Sequence, residues 1–253
     1  MLKITKEIKD NLVYDFREFI KNTGFQDVTF GLSGGIDSAV VLALSCEALG
    51  PAHVYTMMMK TQFTSQLSID LANEISSRFG NHHENIDIQP RLQAKLANLS
   101  FVPKNKLTFE NMQARDRADL CMTYSSEFKR LVIGCSNKSE TMMGYMTLYG
   151  DTCGAVEPLG NLYKTQVYQL AELFPQIPRE IITRPATAEL APNQKDSDSM
   201  PPYDILDPIL EHMSNGTTDA VADKALLADL QRRYQANAFK RLQMPPALKI
   251  RER

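Results

Sequence analysis

The spacing of apolar positions changes period along the chain, and each change marks an element. Residues 5–22 place Ile8, Leu12, Phe16 and Phe19/Ile20 about one helical turn apart, which predicts an amphipathic helix packed on a core. Val28, Phe30 and Leu32 then alternate with other residues, the period of a strand. Gly, Ser and Gly follow, and Ile36 to Leu49 reads as a helix ended by Gly50-Pro51. Residues 53–59 predict a second strand, 65–79 a helix stopped by Gly80, and 84–88 a short third strand. Residues 110–129 predict a long helix. Leu131-Val-Ile133 predicts a fourth strand, running into a second Gly/Ser turn and a helix at about 137–145. Strands alternating with helices imply right-handed βαβ units. The fold class expected is α/β, a doubly wound, Rossmann-like parallel sheet with helices on both faces.

Past this region the pattern changes. Residues 184–202 hold four of the chain's 13 prolines, with Asn, Gln, Lys, Asp and Ser between them. That predicts a long mobile loop of the kind that often serves as a lid. Residues 203–240 return to helical spacing, giving a helical C-terminal part. No repeat, low-complexity block or interdomain linker interrupts the chain, so a single domain over 1–253 is expected.

Composition narrows the function classes. With 28 Lys+Arg against 30 Asp+Glu, the net charge of −2 lacks the positive excess that nucleic-acid binding needs. No apolar run reaches the roughly 20 residues required to span a bilayer, and the charged N-terminus lacks a signal peptide's apolar stretch. Cys46, Cys121, Cys135 and Cys153 lie far apart with no C-x-x-C pair. A zinc cluster or disulfide framework is not expected, and a cytoplasmic, reducing setting fits.

The sharpest chemical signal is Gly31-Leu-Ser-Gly-Gly-Ile-Asp-Ser38, between a predicted strand and a predicted helix. A doubly wound sheet binds ligands at such positions. Gly34 and Gly35 let the backbone turn tightly and approach phosphate. The helix that follows aims free N–H groups at an anion, and Ser33 and Ser38 add hydroxyls. Asp37 repels a bare phosphate, so its presence asks for a bridging cation such as Mg²⁺. The loop lacks the G-x-x-x-x-G-K-[ST] of a Walker motif. It resembles the pyrophosphatase loop of the N-type ATP pyrophosphatases, which cleave ATP between the α and β phosphates and adenylylate a second substrate.

The second half supplies Cys135-Ser-Asn-Lys-Ser-Glu140, then Thr141 to Asp151 (Thr-Met-Met-Gly-Tyr-Met-Thr-Leu-Tyr-Gly-Asp). Pro158-Leu-Gly-Asn-Leu-Tyr-Lys-Thr-Gln-Val167, Arg184-Pro-Ala-Thr-Ala-Glu-Leu190 and Asn193 to Asp207 follow. Together these resemble NAD synthetase over nearly the whole chain. Leu148-Tyr149, Pro201-Pro202-Tyr203-Asp204 and Phe239-Lys240-Arg241 before Pro245-Pro246 place the likeness nearer the synthetase domain of the glutamine-dependent branch. The resemblance implies an adenine nucleotide alpha hydrolase type of fold. It implies a ligase that makes NAD, AMP and pyrophosphate from ATP, deamido-NAD and ammonia. It also implies a homodimer.

The same resemblance distributes roles over the residues. Asp37 and Glu140 would hold Mg²⁺, and Asp37 and Lys164 would carry the chemistry at the phosphates. ATP would meet Gly31, Leu32, Ser33, Gly34, Gly35, Ile36, Ser38, Cys135 and Thr187. Deamido-NAD would meet Asn111, Arg115, Asp151 and Lys240, with Asn111 and Arg115 at i, i+4 spacing and so able to face one cleft. Three departures stand out. Cys135 replaces the family's usual Thr at an ATP contact, Met59-Lys60-Thr61 replaces Met-Pro-Ser, and Leu148 and Ala155 stand where short ammonia-dependent enzymes carry Lys and Asp. With the glycine loop near residue 31, no room precedes it for a glutaminase domain. Ammonia would arrive free or from a separate glutaminase subunit, unless the chain is cut from a longer one. Two other readings remain open: a different carboxylate acceptor such as nicotinate mononucleotide, and a non-catalytic nucleotide-binding regulatory subunit.

Overall fold

The computed structural model describes residues 1–192 and 194–242. Asn193 and the closing Pro245-Pro246 lie outside the described residues.

Helix α1 (Lys6–Thr23) starts at Thr5, whose hydroxyl accepts from the Ile8 N–H, and stops at Gly24 in the left-handed region. Val13, Phe16 and Ile20 form its buried face, while Phe19 turns outward at 38% exposed. Strand β1 (Asp27–Gly31) leads through the glycine turn into α2 (Ile36–Leu49). Then follow β2 (Val54–Lys60), α3 (Gln66–Phe79) and β3 (His82–Asp87). Next come α4 (Gln89–Ala97), α5 (Lys106–Phe128) and β4 (Arg130–Val132). The remainder is α6 (Lys138–Met143), α7 (Lys164–Ala171), α8 (Arg179–Thr183), α9 (Tyr203–Asn215) and α10 (Lys224–Ala236).

All strand pairs are parallel, in the order β3-β2-β1-β4. The chain builds outward from β1 to β3, then returns to add β4 on the other side of β1. That reversal opens a crevice between the ends of β1 and β4. Helix α2 is apolar on every side and almost wholly buried, because α1 and α7 cover the side that the sheet does not. Val28 and Phe30 point into this first core, and each such fully buried side chain stabilises by roughly 1.5–3 kcal/mol over exposure. Met57, Met59 and Val132 point to the opposite face and pack on Leu92 of α4 and Leu120 of α5. A third apolar cluster joins Met142 and Met143 of α6 to Leu206 and Leu210 of α9 and Leu227 and Leu230 of α10. The doubly wound sheet and helical C-terminal part are therefore as expected.

Several boundaries differ. The fourth strand ends at Val132; the Ile133 N–H still donates to the Thr29 carbonyl of β1 at 3.0 Å, and Ile133 forms an isolated parallel bridge to Val156. The helix after it stops at Met143, because Gly144 adopts φ +65°. Helix α4 was not anticipated. Between α8 and α9, residues 184–202 carry only one short 3-10 turn, Asp196–Asp198. Among the described residues no helix is long and apolar enough to cross a membrane.

Candidate active site

The site grows from the end of β1. The Leu32 N–H donates to the Met57 carbonyl at 2.9 Å, tying the turn to β2. Gly34 then adopts φ +76°, and a Cβ there would lie 2.4 Å from the Ser68 carbonyl oxygen of α3. Both backbone conformation and space forbid a side chain. Ser38 in the first turn of α2 accepts from the Ser33 N–H at 3.2 Å and donates to the Gly35 carbonyl at 3.1 Å. The turn is thus internally braced, with the α2 N-terminus facing the crevice.

Asp37 and Glu140 converge on this turn from two helices. Asn137 caps α6: its side-chain oxygen accepts from the Glu140 N–H at 3.1 Å, and the Glu140 carboxylate accepts from the Asn137 N–H at 3.3 Å. The Asn137 amide also donates to Asp37 Oδ1 at 2.9 Å, so the cap fixes both acids. Lys164, the first residue of α7, is 2% exposed. Its Nζ donates to Asp37 Oδ2 at 2.5 Å and to Glu140 Oε1 at 3.1 Å. Burial opposes the ammonium charge, but Asp37 and Glu140 outweigh it and raise the Lys164 pKa well above the usual lysine value. Burial pushes the Glu140 carboxyl up to about 7, with Lys164 pulling it down and Asp37 adding to the rise. A lysine opening a helix sits against the dipole, and the anions that offset this are the protein's own carboxylates.

A second ring of bonds holds this group. Ser139 Oγ accepts from the Lys164 N–H at 2.9 Å and donates to Asp207 Oδ1 at 2.5 Å. Asp207 Oδ2 accepts from the Thr165 N–H at 2.8 Å, and Asp207 is fully buried. One carboxylate of α9 therefore positions α6 and α7 together. Tyr203 and Tyr145 both donate to Asp196, at 2.8 and 3.3 Å, fastening the 184–202 segment beside Lys164. Glu189 of that segment accepts from the hydroxyls of Ser65 and Ser68, each at 2.8 Å, and from Arg184 at 3.2 Å.

These groups open onto one cleft of about 490 Å³ at the C-terminal edge of the sheet. Gly31, Leu32, Ser33, Gly35, Ile36, Asp37, Ser38, Cys135, Glu140, Lys164 and Thr187 line it. So do Asn111, Asp151 and Lys240. Gly34 does not, because its place is against Ser68. Arg115 does not either: its Nε turns away to donate to the Leu148 carbonyl at 3.1 Å. The expectation that Asn111 and Arg115 face one cleft is corrected on that ground. Asn111 accepts from the Thr147 hydroxyl at 2.8 Å, and Asp151 from the Thr147 N–H at 2.7 Å. Lys240 donates to the carbonyls of Gly144 and Met146 at 2.8 and 2.9 Å, bringing the end of the described chain to the cleft. Burial holds the Cys135 thiol well above its ordinary pKa, so it is neutral and a weak hydrogen-bond partner. Beneath it, Glu157 accepts from the Ser136 N–H at 2.8 Å and packs over Gly134, whose missing Cβ leaves it room. Burial pushes the Glu157 carboxyl up to about 8.

Sequence reasoning missed Arg117, Arg184, Glu189 and Asp207. Arg117 lines the cleft and donates from Nε to the Met59 carbonyl at 3.1 Å. Only its place two residues beyond Arg115 on α5 pointed to it. For Mg²⁺, the donor set is two hard carboxylates beside a phosphate-sized turn, with no third acidic, His or Cys ligand clustered there among the described residues. That suits an ion that takes one or two carboxylates and fills its remaining positions with water and substrate phosphate.

A parallel sheet with a glycine turn, paired acids and a buried lysine at its switch point defines an α/β nucleotide-binding site. The family model described as NAD synthase matches residues 8–245. The chain belongs to the NAD synthase family. It is 40% identical to a glutamine-dependent NAD(+) synthetase of Acinetobacter baylyi over 94% of its own length and 47% of the relative's. The chain thus spans about half the length of the curated relatives it matches. An NMN synthetase from Francisella tularensis superposes with a TM-score of 0.85 at 30% identity, covering 96% of this chain and 98% of that one. An NH3-dependent NAD synthetase from Campylobacter jejuni gives 0.81 at 31% identity, with the same coverage.

Proposed function

We propose that this chain is a ligase that amidates the nicotinate carboxylate of deamido-NAD with ammonia, at the cost of ATP. The observation that carries the reading is the Asp37–Lys164–Glu140 cluster set against the glycine turn. In the first step a carboxylate oxygen attacks the α phosphorus of ATP. The bond from that phosphorus to the bridging oxygen breaks, and pyrophosphate leaves. In the second step ammonia attacks the acyl carbon, the bond to AMP breaks, and a proton leaves the nitrogen. Two polyanions have to meet, so the work of the protein is positioning and charge neutralisation. The glycine turn and the α2 N-terminus orient the phosphates, with Ser33 and Ser38 as hydroxyl partners. Lys164 supplies a compact positive charge on a short reach from the turn. Mg²⁺ held by Asp37 and Glu140 would supply further positive charge to the phosphate oxygens. Asn111, Asp151 and Lys240 form the acceptor end of the cleft, and Cys135 and Thr187 border the nucleotide.

A second acceptor, nicotinate mononucleotide, is favoured by one observation. Arg115 is turned out of the cleft, which removes one charged contact from the acceptor end. The test is product analysis by mass spectrometry, with Mg²⁺, ATP and each acceptor, and with ammonium or glutamine as nitrogen donor. NAD and AMP with ammonium alone are expected. NMN in place of NAD would move the assignment to the mononucleotide. No amide from either acceptor, by protein that binds ATP, would overturn the reading and leave a regulatory nucleotide-binding role. Amide formed from glutamine only when a glutaminase is added would support a separate nitrogen-supplying partner. A homodimer is part of the proposal, supported by the exposed Phe101, Val102, Leu107 and Phe109 beside the acceptor end. Light scattering would show twice the monomer mass.

A further inference from the structure

Arg184 is the one cleft arginine anchored directly against the glycine turn's packing partner. Its Nη2 donates to Ser68 Oγ at 3.0 Å and to Glu189 Oε1 at 3.2 Å. Ser68 is the residue whose carbonyl presses on Gly34, so the guanidinium sits immediately beside the turn. The side chain is 13% exposed and lines the cleft. Its Nη1 is buried and has no hydrogen-bond partner among the described residues. A buried guanidinium nitrogen left without an acceptor is costly, and native sites rarely leave one so without a ligand or water to meet it. The same guanidinium has its Nη2 pinned by two acceptors, so its plane is fixed before any ligand arrives. That is the preorganised fork that recognises phosphate oxygens. Across the turn, Lys164 is occupied by Asp37 and Glu140.

We infer that Arg184 forms a subsite for the β and γ phosphates of ATP, and for the pyrophosphate released from them. This rests on the nucleotide reading above. The α phosphate is handled by the Lys164 side of the turn, and the leaving pyrophosphate by the Arg184 side. Ser68 and Glu189 act as positioning residues that hold the guanidinium. Because Glu189 accepts from Arg184, Ser65 and Ser68 together, the segment that starts at Arg184 is attached to the start of α3 at the place where the pyrophosphate sits.

Calorimetry on the full chain with three probes tests this: Mg-ATP, inorganic pyrophosphate with Mg²⁺, and AMP. Arg184→Gln should weaken Mg-ATP and pyrophosphate by about 10- to 100-fold, the range of one charge-assisted hydrogen bond. AMP has no β or γ phosphate and should bind as it does to the unaltered chain. Arg184→Lys should fall between, since it restores charge without the fork. Glu189→Gln keeps the guanidinium but loosens its hold, and should weaken pyrophosphate binding less than Arg184→Gln does. Unchanged pyrophosphate affinity in Arg184→Gln would overturn the inference. So would a parallel loss of AMP binding, which would make Arg184 a structural latch only. An unaltered chain that binds none of the three probes would take down the nucleotide reading itself, before any arginine is changed.

Discussion

Both oxygens of Asp37 are engaged: Oδ1 takes the Asn137 amide and Oδ2 takes the Lys164 ammonium. The residue therefore sets the charge of the site and its geometry at once. Asp37→Asn keeps the size and removes the charge. Amide formation should fall by roughly 100-fold or more, as when a group that stabilises transition-state charge is lost. Steady-state kinetics would show the fall in kcat, and a retained kcat would remove Asp37 from the phosphate chemistry. Cys135→Thr should bind ATP as well as the present thiol or better, because a hydroxyl is the stronger partner. A loss of ATP affinity in titration would give the thiol a role of its own. Residues marked by their neighbours in sequence could be placed at the cleft: Ser33, Asp37 and Ser38 lie within or just after one glycine turn. Arg184, Glu189 and Asp207 were not, since what fixes them, Ser65 and Ser68 for the first two and Ser139 and Thr165 for the last, lies far away along the chain.

At the scale of elements, the glycine turn and the joint between α6, α7 and α9 determine the site. Gly34→Ala forces a Cβ against the Ser68 carbonyl at a left-handed φ, so the turn or α3 has to shift. A loss of about 1–3 kcal/mol is expected, read as a lower midpoint in urea unfolding. Asp207→Ala strips the Ser139 hydroxyl and the Thr165 N–H of their acceptor inside the protein. A cost of about 1–3 kcal/mol follows, and the KM for ATP should rise with it because Lys164 loses its brace. The strands and α2 were legible because their apolar spacing is strong. Strand β4 is one residue shorter than expected at Ile133, which keeps one bond to Thr29 of β1 but bridges Val156, where the ladder ends. Helix α4 was overlooked although Pro90 in its first turn is a start signal.

For the whole molecule, acids from distant parts of the chain gather at one cleft, among them Asp37, Glu140, Asp151 and Glu189. Glu157 ties that arrangement to pH. Its carboxyl rises from 4.5 to about 8 on folding, so between those values the native state holds a proton that the unfolded chain has released. Stability from this group is full below about pH 4.5 and is lost as pH climbs through about 8. Glu157→Gln removes that dependence. Thermal melts should show the variant gaining on the original chain as pH rises from 5 to 9. A gain of about 1 kcal/mol corresponds to roughly 2–4 °C for a chain of this size. An equal gap at every pH would show that Glu157 does not titrate in this way. The α/β class was readable from periodicity alone, but the three separate apolar clusters were not, because which helix covers which face depends on topology. The joint between the first and third clusters has a mechanical consequence. Oil-like surfaces resist separation but slide, since hydrophobic attraction has no direction. The Asp207 carboxylate, gripping Ser139 and Thr165 at once, is satisfied in one alignment only. It works as a dowel between two greased blocks, and the catalytic gap is set by that peg instead of by the fit of the apolar faces.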